Sequence, residues 1–405
     1  HRITNVFPRG SEAENAVTAE ATILIEIDRQ NDPAILEALH RNIERVLDDN
    51  RAVVEDWAIM REKVREAIDA LDVASSVIDP AEVDETRAFL TWIEDHHFTF
   101  LGVRDYNLVV KGKETILEPV PETGLGVLRA NLSKSSSKNI SAMPPEAREL
   151  TLSPHALIMF KTNTEATVHR SAYTDYIGVK RFDKKGNVIG ERRIIGLYTS
   201  AAYNTNPRHI PFLRHKVASI MTKSELKPRS HTGKVLLNIL ETLPRDDLIQ
   251  ATEDELLEIA MGIYHMQERR RIRMFARTDL YRRFVSCFVF VPKERISTEL
   301  RLAMEKVLQE SFHAEKITYS TWFSESILAR IHFIIRTDPE DMTAWNFKEI
   351  EQKLIEVGRS WTDDLQHYLY EAYGEEHANH VFERYKNAFP TNYSDNFLPR
   401  LAVYD

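Results

Sequence analysis

The most restrictive feature of this sequence is an order of patterns between residues 271 and 338: RIRMFART, FVSCFVFVPK, a helical pattern over Glu299 to Phe312, EKITYSTWF and ARIHFIIRTD. Four β-rich runs with one amphipathic helix between the second and third specify β-β-α-β-β, the order that a small α+β sandwich with a one-sided sheet produces. A second series precedes it. HALIMFKTN, YIGVKRFD, the turn Lys185-Gly186-Asn187 and VIGERRIIGLYTS lead into a helix beginning near Asn206-Pro207, with Ile210, Leu213, Val217, Ile220 and Met221 on one face. VLLNILETL and DELLEIAMGIYHMQER add two more helical patterns, the second with Thr252 as N-cap and Glu255 three residues on.

Upstream the pattern is less regular. TILIEID, residues 22–28, reads as a strand, Pro8 to Thr18 as a loop, and Asp32-Pro33 opens a helix through Ile35, Leu39, Ile43 and Leu47. A connecting helix follows over 53–71, then another from Asp79-Pro80 through Ile93, and HHFTFLGVRDYNLVV turns to strand. Residues 111–152 are the least periodic and read as a second small sheet unit with a mobile loop and a linker. Phe347 to Phe389 is helical and charged, and NYSDNFLPRLAVYD reads as a terminal loop.

A chain of 405 residues needs two to four cores, and 43% apolar with 28% charged residues is a globular composition. No stretch approaches the roughly 20 apolar residues of a membrane helix, and HRITNVFPRG lacks a signal-peptide pattern, so the expected location is the cytoplasm. The net charge of −9 gives the chain no electrostatic reason to seek nucleic acid. Its single cysteine, Cys287, sits in an apolar run, where a thiol is a small core hydrophobe rather than a nucleophile.

Chemical motifs are missing. Gly124-Leu125-Gly126 opens a dinucleotide-type string, but Arg129 stands at its third glycine and no helix pattern follows, so a turn is the better reading. His231-Thr232-Gly233-Lys234 has Val235 where a phosphate loop carries Ser or Thr, which leaves a helix start capped by Ser230 or Thr232. Glu376, His377, His380 and Glu383 share helical spacing without a companion cysteine, and His96-His97 alternate faces of a strand, so no metal is expected. Catalytic residues are expected to be absent. The polar groups that do gather are His169, Arg170, Tyr173, Asp175, Tyr176, Lys180, Arg181, Tyr203 and Arg208. Arginine holding a carboxylate while Asp175 meets an ammonium would suit an amino-acid effector; a solvated strand edge with ordinary salt bridges is the plainer reading of each residue.

VHRSAYTDYIGVKRFDKKGNVIGERRIIGLYTSAAYN, GKVLLNILETLPRDDL, RFVSCFVFVPKERISTELR and SESILARIHFIIRTDP, with EIDRQNDPAILEAL and DHHFTFLGVRDYNL earlier, resemble the amino-terminal half of the large bacterial NAD-specific glutamate dehydrogenases. The resemblance covers nearly the whole chain. It implies an α+β fold of ACT-like modules, antiparallel sheets with helices on one face, joined by helical connectors. The implied division is a partial first ACT-like module and connecting helix over 1–72, a helix, small β unit and linker over 73–152, a second module with helical extension over 153–267, a third over 268–345, and a helical segment over 346–405 leading to a catalytic part. It also implies a parent enzyme that converts L-glutamate, NAD and water to 2-oxoglutarate, ammonia and NADH, with NAD held elsewhere and no cofactor in this chain. The implied partners are the parent's own catalytic domain, further copies in a tetramer or hexamer, and an amino-acid effector. The expected role is regulation and assembly without catalysis; the alternative is a structural scaffold that binds no ligand.

Overall fold

Strands drawn from both ends of the region 98–198 make one sheet, and that sheet organises the first half of the molecule. The computed structural model describes residues 2–6, 18–22, 24–74, 77–112, 114–129, 138–266, 269–341 and 343–404. Two short strands, β1 (Arg2–Val6) and β2 (Thr18–Thr22), pair antiparallel at the start. The strand expected over 22–28 does not form beyond Thr22: residues 24–32 have no regular structure, and Leu24 is 85% exposed because no core lies beside it. Of the loop expected over 8–18, only Thr18 lies within the described residues.

The two helices expected over 32–47 and 53–71 are one, α1 (Pro33–Ala74). Asp48-Asp49-Asn50-Arg51 contains neither proline nor glycine, so nothing interrupts the hydrogen-bond ladder between them. The Asp32 carboxylate caps its start by accepting from the Ala34 amide at 2.8 Å. Ala52, Met60, Val64, Ala67 and Leu71 are buried on one face, whereas Ile35, Ile43, Leu47, Val54 and Trp57 are exposed. Helix α2 (Pro80–Trp92), capped by Asp79, then leads through a turn at Ile93–His97 into the sheet.

The sheet comprises β3 (Phe98–Lys111), β4 (Glu114–Pro119), β5 (Leu125–Gly126) and β6 (Lys138–Asn139), then, after α3 (Pro145–Leu152), β7 (Leu157–Glu165), β8 (Tyr173–Phe182) and β9 (Val188–Tyr198). Its order is β6-β4-β3-β9-β8-β7, with β5 on β3, all antiparallel. The described residues of 111–152 therefore contribute to this sheet, and none of them builds a separate one. The cause is β3, which is buried on both faces and pairs with β9 from Phe98↔Tyr198 to Asn107↔Gly190. A partner some hundred residues away leaves no mark on local periodicity.

Helices α4 (Ser200–Asn204), α5 (Leu213–Lys223), α6 (His231–Thr242), α7 (Arg245–Gln250) and α8 (Glu253–Met266) follow. Asn206-Pro207 opens a short 3-10 turn rather than the main helix, which starts after Phe212 in a left-handed conformation. Thr252 and Glu255 form the expected reciprocal cap, and Ser230 caps α6. Phe98, Phe100, Ile177, Val179 and Ile194 of the sheet share one core with these helices and with α1 and α2.

The second sheet is β10 (Arg273–Thr278), β11 (Phe284–Pro292), β12 (Lys316–Phe323) and β13 (Leu328–Arg336), with α9 (Thr298–Phe312) between β11 and β12. Its order is β10-β11-β13-β12, entirely antiparallel. Val285, Cys287 and Val289 pack on Met304 and Leu308 of α9 and on Leu354 of α10 (Phe347–Val357), the face expected to carry the module's own helices. The other face is covered as well: Phe288, Phe290 and Leu328 join the core of α5 to α8, so every residue of β11 is buried. Helices α11 (Trp361–Tyr373), α12 (Glu375–Tyr385) and α13 (Thr391–Asn396) close the chain. The tail read as a loop folds back instead, with Trp361 Nε1 donating to the Phe397 carbonyl at 2.7 Å and Tyr373 to that of Val403 at 3.2 Å. Among the described residues no helix is long and apolar enough to cross a membrane.

Candidate functional site

Along β13 the residues alternate: Ala329, Ile331, Phe333 and Ile335 are apolar, and Arg330, His332, Ile334 and Arg336 take the opposite face. Cross-strand register sets Arg336 between Phe284 and Lys316, and Arg330 between Phe290 and Trp322. That face meets α6 at Arg330, α7 at His332 and the first sheet at Arg336.

At its centre stands Asp247, 1% exposed, whose carboxylate accepts from Arg277 Nε at 2.8 Å and has its other oxygen 3.3 Å from His332 Nε2. Ser286 Oγ lies 2.8 Å from the same imidazole nitrogen. Burial alone would raise the Asp247 carboxyl, but Arg277 and His332 outweigh it and hold it below the usual carboxylate value. Burial pushes the His332 imidazole down against the pull of Asp247, with Arg330 acting in the same direction as burial. Asp247 is ionic, and Arg277 is its counter-ion.

Beyond this cluster, at the Arg336 end, lies a cleft of about 340 Å³ walled by β7 and β8, α7 and the second sheet. Lys161 Nζ donates to Asp175 at 2.8 Å and lies 3.2 Å from Asp246, which also accepts from the Tyr203 hydroxyl at 3.0 Å. Burial opposes the ammonium, but Asp246 and Asp175 raise Lys161 above its ordinary value. The Asp175 carboxyl is pushed up to about 6 by burial despite Lys161. Glu165 is paired with Lys316 at 2.6 Å.

Arg336 differs from all of these. It is 7% exposed, its Nη1 donates to Asn163 Oδ1 at 3.1 Å, and its guanidinium lies 3.4 Å from the centre of the Tyr173 ring. No carboxylate among the described residues is within ion-pair distance, and Nε has no partner. A buried guanidinium lacking a counter-ion lowers its free energy when a carboxylate arrives. Asp246, whose side chain is about a third exposed, lines the same cleft; Lys161 and Tyr203 both hold its Oδ1, which leaves Oδ2 for an ammonium. Guanidinium and carboxylate in one cleft are complementary to a zwitterion.

Of the polar residues gathered from the sequence, Tyr173 lines the cleft under Arg336, Asp175 and Tyr203 bond its wall residues Lys161 and Asp246, and Arg170 donates to the Tyr198 carbonyl at 2.8 Å. Lys161 already occupies Asp175, so the ammonium role expected of Asp175 is filled from within the chain. Tyr176 points to the other face, stacking on Phe160 and donating to Glu191. Lys180 donates to the Leu150 and Ser153 carbonyls at the end of α3, and burial lowers its ammonium to about 8. Arg181 reaches Asn107 at 3.0 Å, Arg208 sits 3.8 Å from Glu241, and His169 is an exposed turn residue with φ 72°. Consecutive residues of β8 face opposite ways, and for that reason a list drawn from one stretch cannot converge.

Lys161, Asp246, Arg277 and Arg336 were not singled out beforehand. The signal was present in ARIHFIIRTD, where Arg330, His332 and Arg336 recur at even spacing on an otherwise apolar strand. Gly124-Leu125-Gly126 proves to be packing: Gly126 has φ 60°, a Cβ there would lie 2.1 Å from the Leu101 carbonyl oxygen, and Arg129 is bound by Asp56. Burial pushes the Cys287 thiol far up, consistent with an inert core residue. Among the described residues no group of three or more His, Cys, Asp or Glu is arranged to hold a metal ion.

Three family models match. The glutamate dehydrogenase ACT2 domain covers residues 273–362, helical motif 1 residues 210–269 and helical motif 2 residues 368–405. The chain is 39% identical over 407 aligned residues to the NAD-specific glutamate dehydrogenase of Halomonas elongata and 37% over 406 to that of Pseudomonas aeruginosa, covering 100% of this chain and 25% of each relative. The enzyme of the same name from Mycobacterium tuberculosis is 26% identical over 354 residues, covering 84% of this chain and 20% of the relative. The chain thus spans about a quarter of the length of the curated relatives it matches.

Proposed function

We propose that this chain, which belongs over its whole length to the NAD-specific glutamate dehydrogenase family, is a regulatory and assembly region of such an enzyme and is not itself catalytic. The parent reaction is the oxidative deamination of L-glutamate to 2-oxoglutarate and ammonia, with NAD bound by other parts of the longer protein. The carrying observation is Arg336, a buried guanidinium without a carboxylate, in a cleft shared with the accessible Asp246. An amino acid there places its carboxylate on Arg336 and its ammonium on Asp246.

Such a ligand touches both sheets at once. Tyr173 and Lys161 come from the first, Asp246 from α7 and Arg336 from the second. Its binding energy therefore depends on how the two modules sit, which is what an effector needs in order to bias one arrangement over another. The regulated partners in this reading are the catalytic domain and further copies of the chain, in a tetramer or hexamer.

The test is calorimetric titration of the chain with a panel of L-amino acids, beside a glutamate- and NAD-dependent activity assay. Saturable binding of an amino acid without turnover, weakened roughly tenfold or more by Arg336→Gln, is the expected result. Binding that ignores Arg336, or turnover by the chain alone, would overturn the reading. The exposed Ile35, Ile43, Leu47, Val54 and Trp57 on α1 favour a second reading, a scaffold that only assembles. Absence of binding by every amino acid would select it.

A further inference from the structure

The other end of β13 carries a second buried arginine whose surroundings are quite different. Arg330 is 6% exposed and forms part of the wall of a groove of about 1050 Å³ between α6, α8 and the β12–β13 hairpin. Its Nη2 donates to the Thr242 carbonyl at 3.0 Å, and its guanidinium lies 4.7 Å from the centre of the Trp322 ring and 5.6 Å from that of Phe288. Nε has no partner, and among the described residues no carboxylate lies within ion-pair distance. Burial lowers this guanidinium to about 10, with only the field of the more distant Asp247 opposing it.

Val235 and Ile239 of α6, Ile263 and Tyr264 of α8, with Phe290 and Leu328 of the sheet, give the groove its apolar surface, and Asn238, Ser324, Ser326 and the exposed Glu325 line the rest. His231 and Thr232, the first residues of α6, also line the groove, whereas Arg330 sits at the other end of that helix, on its Thr242 carbonyl. A buried guanidinium that the exposed Glu325 does not reach, set beside apolar surface, suits a single negative charge joined to an apolar body. A phosphate ester would call for several donors around its oxygens.

We propose that this groove is a binding site for an amphipathic monocarboxylate, its carboxylate on Arg330 and its aromatic or aliphatic body along α6, α8 and Trp322. The site is independent of the effector cleft, because Arg330 and Arg336 are six residues apart on one strand, roughly 20 Å, with the Asp247 cluster between them. Occupancy links α6 and α8 to the β12–β13 hairpin.

The experiment titrates the full chain by calorimetry with 4-phenylbutyrate, 4-phenylbutanol and inorganic phosphate. Saturable binding of the acid, with the alcohol at least roughly tenfold weaker and phosphate without effect, is expected. Arg330→Gln should weaken the acid roughly tenfold. Val235→Glu, at a position 36% exposed on α6, tests the same point without disturbing the core and should abolish binding of the acid. Arg336→Gln should leave it unchanged. Equal binding of acid and alcohol, no binding of the acid, or full binding by Val235→Glu would each overturn the proposal, and none of these outcomes bears on the amino-acid cleft.

Discussion

The two sheets bury charge in opposite ways. In the first, the buried pairs Lys161 with Asp175, Arg193 with Glu191 and Arg192 with Asp105 are complete, and the buried cations Arg104 and Lys180 rest on backbone carbonyls. In the second, Asp247 is matched by Arg277, but Arg330 and Arg336 have no carboxylate, and these two border open space. Burying a charge costs several kcal/mol unless it is compensated. Completed pairs and cations packed on carbonyls therefore read as architecture, and the two arginines of the second sheet that border open space as places where a ligand completes the structure.

The sharpest way to break this comparison is to remove one arginine of each kind. Arg277→Met strands the Asp247 carboxylate inside the protein and should cost about 3–5 kcal/mol in urea unfolding. Arg336→Met strands no anion, so its cost should be below about 1 kcal/mol, and it removes a desolvated charge. Similar losses from both variants would mean that Arg336 has a counter-ion after all.

A smaller effect sharpens the architectural half of the contrast. Gly126→Ala forces a Cβ to 2.1 Å from the Leu101 carbonyl oxygen at a residue with φ 60°. It should destabilise the chain by about 1–3 kcal/mol while leaving ligand binding at Arg336 intact. Binding that fell with stability would tie the cleft to the packing of β5 on β3.

The smallest effect depends on pH. Burial lowers the His332 imidazole below 6.5 in the folded chain, so below that pH the unfolded chain binds a proton that the folded one does not. Stability from this group is complete above pH 6.5 and falls on acidification, by at most about 1.4 kcal/mol per pH unit. His332→Gln should flatten unfolding curves measured between pH 5 and 6.5. An unchanged slope would show that Asp247 holds the imidazole protonated when folded.

Local chemistry foretold a good deal of this. The caps at Asp79, Ser230 and Thr252–Glu255, the hairpin at Lys185-Gly186-Asn187 and the β-β-α-β-β order of 273–336 form because neighbouring residues satisfy one another's backbone groups. TILIEID shows the limit: its composition favours a strand, yet residues 24–28 have no partner strand and no core to cover them.

The candidate cleft shows the same limit for function. Tyr173, which lines the cleft, and Asp175 and Tyr203, which bond its wall, were among the residues anticipated, since polar side chains crowd that stretch. Their actual neighbours, Lys161, Asp246 and Arg336, come from three separate elements.

Periodicity and capping in the chain are enough to set the type of each strong helix and strand, and the even spacing of Arg330, His332 and Arg336 already places them on one face of β13. Which groups meet that face, which arginine finds a carboxylate and which does not, was decided only when β9 paired with β3 and α7 brought Asp247 to Arg277 of β10 and His332 of β13. Side-chain alternation is a property of one strand, whereas compensation of a buried charge depends on whatever the folded chain brings within a few ångströms of it.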